Sequence, residues 1–142
     1  MGNKDNRQTQ EGGSYAANYS IGQVSVGYGE TLHAPSQRMT TTTAGSTLVQ
    51  HYENDAYSIG FAVNDNLSVS YTMESSEKVQ KSKAAAGNTT TRSNVEMEIE
   101  TIDVSYTIGG ATLGLSNSEH SNDSYTSGDD STETIVAISL AF

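Results

Sequence analysis

The last eleven residues, Thr132 to Phe142, constrain the fold more than any other stretch. Counting back by twos from Phe142 gives Leu140, Ile138 and Val136, all bulky and apolar, while the interleaved set Ala141, Ser139, Ala137 and Ile135 is mostly small. A side-chain period of two is the mark of a strand with two unlike faces. A soluble domain seldom ends on such a strand without a polar tail, because chain ends fray in water. An alternating strand of about 9–11 residues is also what crosses a bilayer as one stave of a barrel.

The pattern recurs upstream. Strands are expected near 14–21, 24–33, 47–63, 67–76, 94–108, 111–120 and 132–142, with residues 1–13 a polar loop or tail. Each pits an apolar set against a small or polar set: Tyr57, Ile59, Phe61 and Val63 against Ala56, Ser58, Gly60 and Ala62; Ile102, Val104, Tyr106 and Ile108 against Asp103, Ser105 and Thr107. Gly22-Gln23 fits a II′ hairpin turn, Asn64-Asp65-Asn66 tolerates left-handed backbone angles, and Gly109-Gly110 makes a third tight turn. Between these short turns fall long connections at 34–46, 77–93 and 121–131. The expected fold is all-β: an antiparallel up-and-down meander of about seven strands, part of a transmembrane β-barrel, whose short turns face one side of the membrane and long loops the other.

Composition narrows the alternatives. Apolar residues make up 34% of the 142, with no Trp and two Phe, so a soluble core would be thin. No run of about 18 apolar residues offers a membrane-spanning helix. With no cysteine, disulfides and thiolate chemistry are excluded. A net charge of -10 argues against a nucleic-acid partner, which needs a basic face. The stretch from Met1 to Arg7 is polar and lacks the apolar core of a signal peptide. All seven basic residues, Lys4, Arg7, Arg38, Lys78, Lys81, Lys83 and Arg92, fall in the expected loops. That suits a lipid face, where a lysine or arginine near mid-membrane costs about 2–4 kcal/mol.

The segments SYAANYSIGQVSVGYGE, AYSIGFAVNDNLSVSYTMES and VSYTIGGATLGLSNSE, with the closing TIVAISLAF, resemble the C-terminal half of Gram-negative general diffusion porins, particularly the alphaproteobacterial type. The resemblance covers about residues 14–142. It implies a location in the outer membrane, a 16-stranded barrel when complete, trimers, and passage of small hydrophilic solutes. It also implies that Val136, Ile138, Leu140 and the terminal Phe142 form the signal read by the assembly machinery. Seven strands left open in lipid would strand about ten backbone donors and acceptors at each edge, at several kcal/mol apiece. The chain is therefore expected to be completed by missing barrel strands or by other copies of itself.

Within that frame Glu74, Asp103, Ser105, Thr107, Ser68 and Ser70 are the candidate lumen-facing residues, and with no basic residue among them a cation preference follows. Glu98 and Glu100 continue the lipid-facing phase and either rise above the membrane band or mark a bulge. His33, His51 and His120 sit at strand margins without metal-ligand spacing, and no serine stands in a nucleophile elbow. No catalysis, cofactor or metal is expected. Asp123, Asp129 and Asp130 make an acidic loop, solvated or weakly cation-binding. The competing expectation is a soluble or self-assembling acidic β-protein serving as an adhesion or structural module.

Overall fold

The computed structural model describes residues 7–38, 47–83 and 90–141. Seven strands form one antiparallel, up-and-down sheet: β1 (Glu11–Ile21), β2 (Val24–Ala34), β3 (Thr47–Asn64), β4 (Leu67–Lys83), β5 (Thr90–Ile108), β6 (Ala111–Ser121) and β7 (Ser131–Leu140). They are hydrogen-bonded in chain order, and the sheet is not closed: β1 and β7 each have a neighbour on one side only. The expected all-β meander is the observed fold.

Local chemistry explains the short connections. Gly22 has φ 58°, and the ladder closes on the pair Ile21–Val24, as a turn with one left-handed residue at its first central position requires. Gly109 and Gly110 are both left-handed, at φ 56° and 83°, the requirement of a I′ turn. The third turn works differently from expectation. Asp65 and Asn66 do not adopt left-handed angles; instead Asn64 Oδ1 accepts from the backbone N–H of Asn66 at 2.9 Å and of Leu67 at 3.0 Å. The register shifts between Ala62 and Asn64, leaving Val63 as a bulge. A bulge restores the twist that a turn with ordinary right-handed angles would spoil.

The strands run further than their alternation suggests. β3, β4 and β5 have 18, 17 and 19 residues. Much of the expected loop 77–93 is therefore strand, up to Lys83 and again from Thr90, and Lys78, Lys81, Lys83 and Arg92, like Arg7 and Arg38, lie on strands rather than in loops. The extension carries charge on both faces, Glu77 on one and Lys78 on the other, and reaches beyond the continuous apolar rows, where water can solvate charge. Similarly, Glu11 to Gly13 belong to β1, and Arg7–Gln8 pair with Gln37–Arg38 in the same register as the β1–β2 ladder. The break between them falls at Pro35, which has no N–H to give. Gln8 bridges the gap, its Nε2 donating to the carbonyls of Pro35 at 3.0 Å and Gln50 at 2.6 Å.

Register sorts the side chains into two faces. Read across the sheet, Ile21, Val24, Phe61, Val69, Val104, Leu115 and Val136 are cross-strand neighbours, an apolar row on all seven strands. One residue along, Ser25, Gly60, Ser70, Asp103 and Ser116 form a row on the opposite face. No second layer of described residues covers either face. Among the described residues only Val79 and Ser76 are buried, at 7% and 8% exposure, while Val136, Ile138 and Leu140 are 65%, 71% and 57% exposed. The chain exposes 9894 Å². A compact soluble protein of its 15.1 kDa exposes about 7,100 Å².

Candidate functional site

Both faces of the sheet are candidate surfaces, and the apolar one has a geometry of its own. Its rows run from Ile108, Ala111 and Leu140 near the short turns, through Tyr106, Leu113 and Ile138, to Tyr19, Val26, Ile59, Tyr71 and Ile102, and then to Ala17, Tyr28, Tyr57 and Met73. On a single strand the longest apolar sets cover three steps of two residues, as from Ile102 to Ile108, about 20 Å. The belt does not follow the hydrogen-bond register. Tyr19, central in the apolar stretch of β1, is registered strand by strand with Thr134 in β7, yet the apolar stretch of β7 centres on Ile138, four residues on. A drift of about 13 Å along the strands over about 29 Å of sheet width is a slope of about 25°. Strands standing upright in a flat band would show no drift; tilted strands must, because direct cross-strand partners then lie at different heights. Barrel strands in membranes tilt by about 35–45°.

Beyond the belt, on the long-loop side, the same face turns acidic. Glu100 opposes Met73 and Glu119; Glu30 opposes Asp55; Glu98 opposes Ser75; and Glu53, Glu77 and Glu96 stand directly across three adjacent strands. No register shift occurs in β5 near Glu98 or Glu100, so a bulge does not account for them. Tyrosines mark the border. Tyr28 donates to Glu30 at 3.2 Å or to Asp55 at 3.1 Å, Tyr15 donates to Glu30, and the Tyr28 ring lies 4.9 Å from that of Tyr57.

The opposite face holds all six residues singled out as its polar lining. Ser70 is the direct partner of Asp103, and Ser68 of Ser105. Thr107 pairs with Thr112, their hydroxyls 2.9 Å apart, and Glu74 lies level with Ala56 and Ile99. A groove of about 660 Å³ follows this face past Ser14, Thr31, Asn54, Glu74 and Ser76, and a second of about 360 Å³ past Ser25, Gly60, Ser68 and Ser70. Small side chains keep it open: a Cβ on Gly27 would lie 2.5 Å from Ser58 Oγ and 2.6 Å from Asn18 Oδ1. Of the terminal signal residues, Val136, Ile138 and Leu140 share the apolar face, and Phe142 lies outside the described residues.

Two residues on the polar face escaped sequence reasoning. Lys78 stands in the same phase as Glu74 and Ser76 on β4, so the premise that this face carries no basic residue does not hold. Tyr125, from the connection between β6 and β7, reaches back onto the face and its hydroxyl is 2.6 Å from Ser76 Oγ. Its ring centroid is 5.6 Å from that of Tyr52, with Lys78 Nζ 4.7 Å away. The one available signal was a lone aromatic residue in an otherwise polar loop. The nearby aspartates serve that loop internally: Asp130 Oδ1 accepts from Asn122 N at 3.1 Å and the Asp129 carbonyl from Asp123 N. Among the described residues no group of three acidic or histidine side chains is arranged to hold a metal ion.

Comparison with known proteins finds no matching family model, no similar curated protein and no similar solved structure. The porin resemblance thus rests on the residues and the sheet alone.

Proposed function

We propose that this chain is a segment of the wall of an outer-membrane channel, with the Val/Ile/Leu/Tyr face against lipid and the Ser/Gly/Thr face lining a water-filled lumen for small hydrophilic solutes. The oblique apolar belt carries the reading. An unbroken apolar row crosses seven strands with no second layer of described residues over it, and it drifts along the strands as a belt on tilted staves must. After a tilt of about 40°, about 20 Å of apolar strand gives about 15 Å of height, which fits within the roughly 25 Å apolar band of barrels in membranes. The polar face offers hydroxyls, backbone-hugging glycines and a few carboxylates, the lining a passive aqueous path needs, and the proposed function involves no catalysis.

Such a wall requires completion. The free edges of β1 and β7 are 11 and 10 residues long, so each presents about ten unpaired backbone groups. In hydrocarbon these would cost tens of kcal/mol, against the about 5–15 kcal/mol of ordinary folding stability. An odd strand count leaves β1 and β7 pointing the same way. A closing set with an odd number of strands, such as the nine that complete sixteen, pairs antiparallel at both seams. Another copy of this chain inserted in the same orientation would have to pair in parallel, slightly less stably per residue. The open edges also suit the alternative, a self-assembling β-module in water.

The chain has no tryptophan, so a single one introduced at Leu113 or at Thr112 reports one face each. In vesicles, brominated acyl chains should quench the Leu113→Trp protein and aqueous iodide the Thr112→Trp protein. Equal quenching of both by iodide, or a chain that stays monodisperse without detergent, would overturn the wall.

A further inference from the structure

The connection between β6 and β7 does not project away from the sheet as an external loop; it folds back over the polar face. We infer that it is a built-in constriction of the lumen, with Tyr125 as the narrowing side chain and Ser76 its anchor. The inference rests on the channel-wall reading above.

Three observations carry it. The backbone is held in an uncommon shape: Asn122, Ser124 and Tyr125 all have left-handed φ, at 54°, 54° and 59°. Asparagine accepts this readily, but for a bulky tyrosine it is a true outlier, and residues held so cost about 1–3 kcal/mol each. The surroundings over-determine the shape. Asn122 is its hub: Nδ2 donates to the Glu96 carbonyl at 2.9 Å, Oδ1 accepts from Gly128 N at 2.9 Å, and its own N–H donates to Asp130. The Thr126 N–H closes the turn on the Asp123 carbonyl at 3.0 Å.

The strained turn also delivers one side chain to one place. The Tyr125 hydroxyl meets Ser76, which in turn donates to Asn54 Oδ1, and Ser76 is one of two buried residues among those described, although it stands on an otherwise open face. The ring leans on Tyr52 and carries the Lys78 ammonium, a contact worth about 0.5–1 kcal/mol at exposed sites. Finally, the position matters for passage. Tyr125 borders the same groove as Ser14, Thr31, Asn54 and Glu74, so a solute moving along the face from the long-loop end meets the Tyr52–Tyr125 pair and Lys78 before it meets Glu74 and Asp103. A loop folded outward would leave Ser76 and Lys78 to water and would have no cause to hold a tyrosine left-handed.

The constriction sets a size limit for uncharged polar solutes and places one positive charge at it. Pore diameter and the groups lining it decide which solutes pass. Single-channel conductance of the full-length chain in its closed assembly, in planar bilayers, tests this. Tyr125→Ala should raise conductance roughly twofold by clearing lumen cross-section, and admit disaccharides that the parent excludes relative to monosaccharides. Lys78→Met should shift reversal potentials toward cations. Ser76→Ala, which keeps the ring but frees it, should give flickering between the parent and the Tyr125→Ala levels, and it serves if Tyr125→Ala fails to assemble. A parent that conducts while Tyr125→Ala and Ser76→Ala match it in conductance and sugar cut-off would overturn the constriction and leave the wall standing. A parent that assembles in bilayers without conducting would instead overturn the channel reading and this inference together.

Discussion

Replacing Val104 with lysine puts a charge in the middle of the one row that is apolar on every strand, between Val69 and Leu115. If hydrocarbon touches that row, the ammonium sits near the bilayer midplane and costs about 2–4 kcal/mol. At 1.4 kcal/mol per decade this is about a 30- to 700-fold drop in the folded-to-unfolded ratio. Ser105→Lys is the matched control. It lies one residue along the same strand, on the other face, between Ser68 and Gly114, with the Asp103 carboxylate two residues away in the same phase. In an aqueous lumen it should change stability by no more than about 0.5 kcal/mol. The assay is urea titration of the chain assembled in phospholipid vesicles, followed by far-ultraviolet circular dichroism. The asymmetry between neighbouring positions is the result to look for, because β-propensity and backbone effects are nearly shared. Equal, small effects at both positions would refute the lipid face, and so would better recovery of Val104→Lys in detergent-free buffer.

Two further outcomes follow from the packing and the turns. Gly27→Ala should lose about 1–2 kcal/mol, because its Cβ would press on Ser58 Oγ and Asn18 Oδ1, and Ser58→Ala in the same chain should recover part of the loss; a gain of about 0.4–1 kcal/mol, as at an unhindered glycine, would count against the close approach of β1, β2 and β3. Asn64→Ala should cost about 1 kcal/mol by removing the acceptor for two backbone N–H groups, whereas Asn64→Asp should stay within about 0.5 kcal/mol of the parent; equal urea midpoints for both variants would show that the bulge at Val63, not the Asn64 side chain, closes this turn.

Legibility followed the range of the interaction. Alternation is a property of adjacent residues, so the strands around Tyr57–Val63, Leu67–Met73, Ile102–Ile108 and Val136–Leu140 could be read directly, as could the two glycine turns. Where charge enters both faces, as at Glu77 and Lys78, alternation weakens and the strands continue unseen, to Lys83 on β4 and from Thr90 on β5, sustained by the ladder between them. Asn64 was recognised as a turn residue, but whether it would act through left-handed angles or through its side-chain oxygen depended on the bulge at Val63, which only the pairing with β4 creates.

By itself, then, the order of residues determined the strand class, the count of seven, the positions of the tight turns and the existence of one apolar face, because each is settled within a few residues of chain. Only the assembled sheet decided the slope of the apolar belt, the two open edges and the return of Tyr125 to Ser76, 49 residues away. Register accumulates strand by strand, and a contact across that distance exists only once the whole sheet has brought the two positions together.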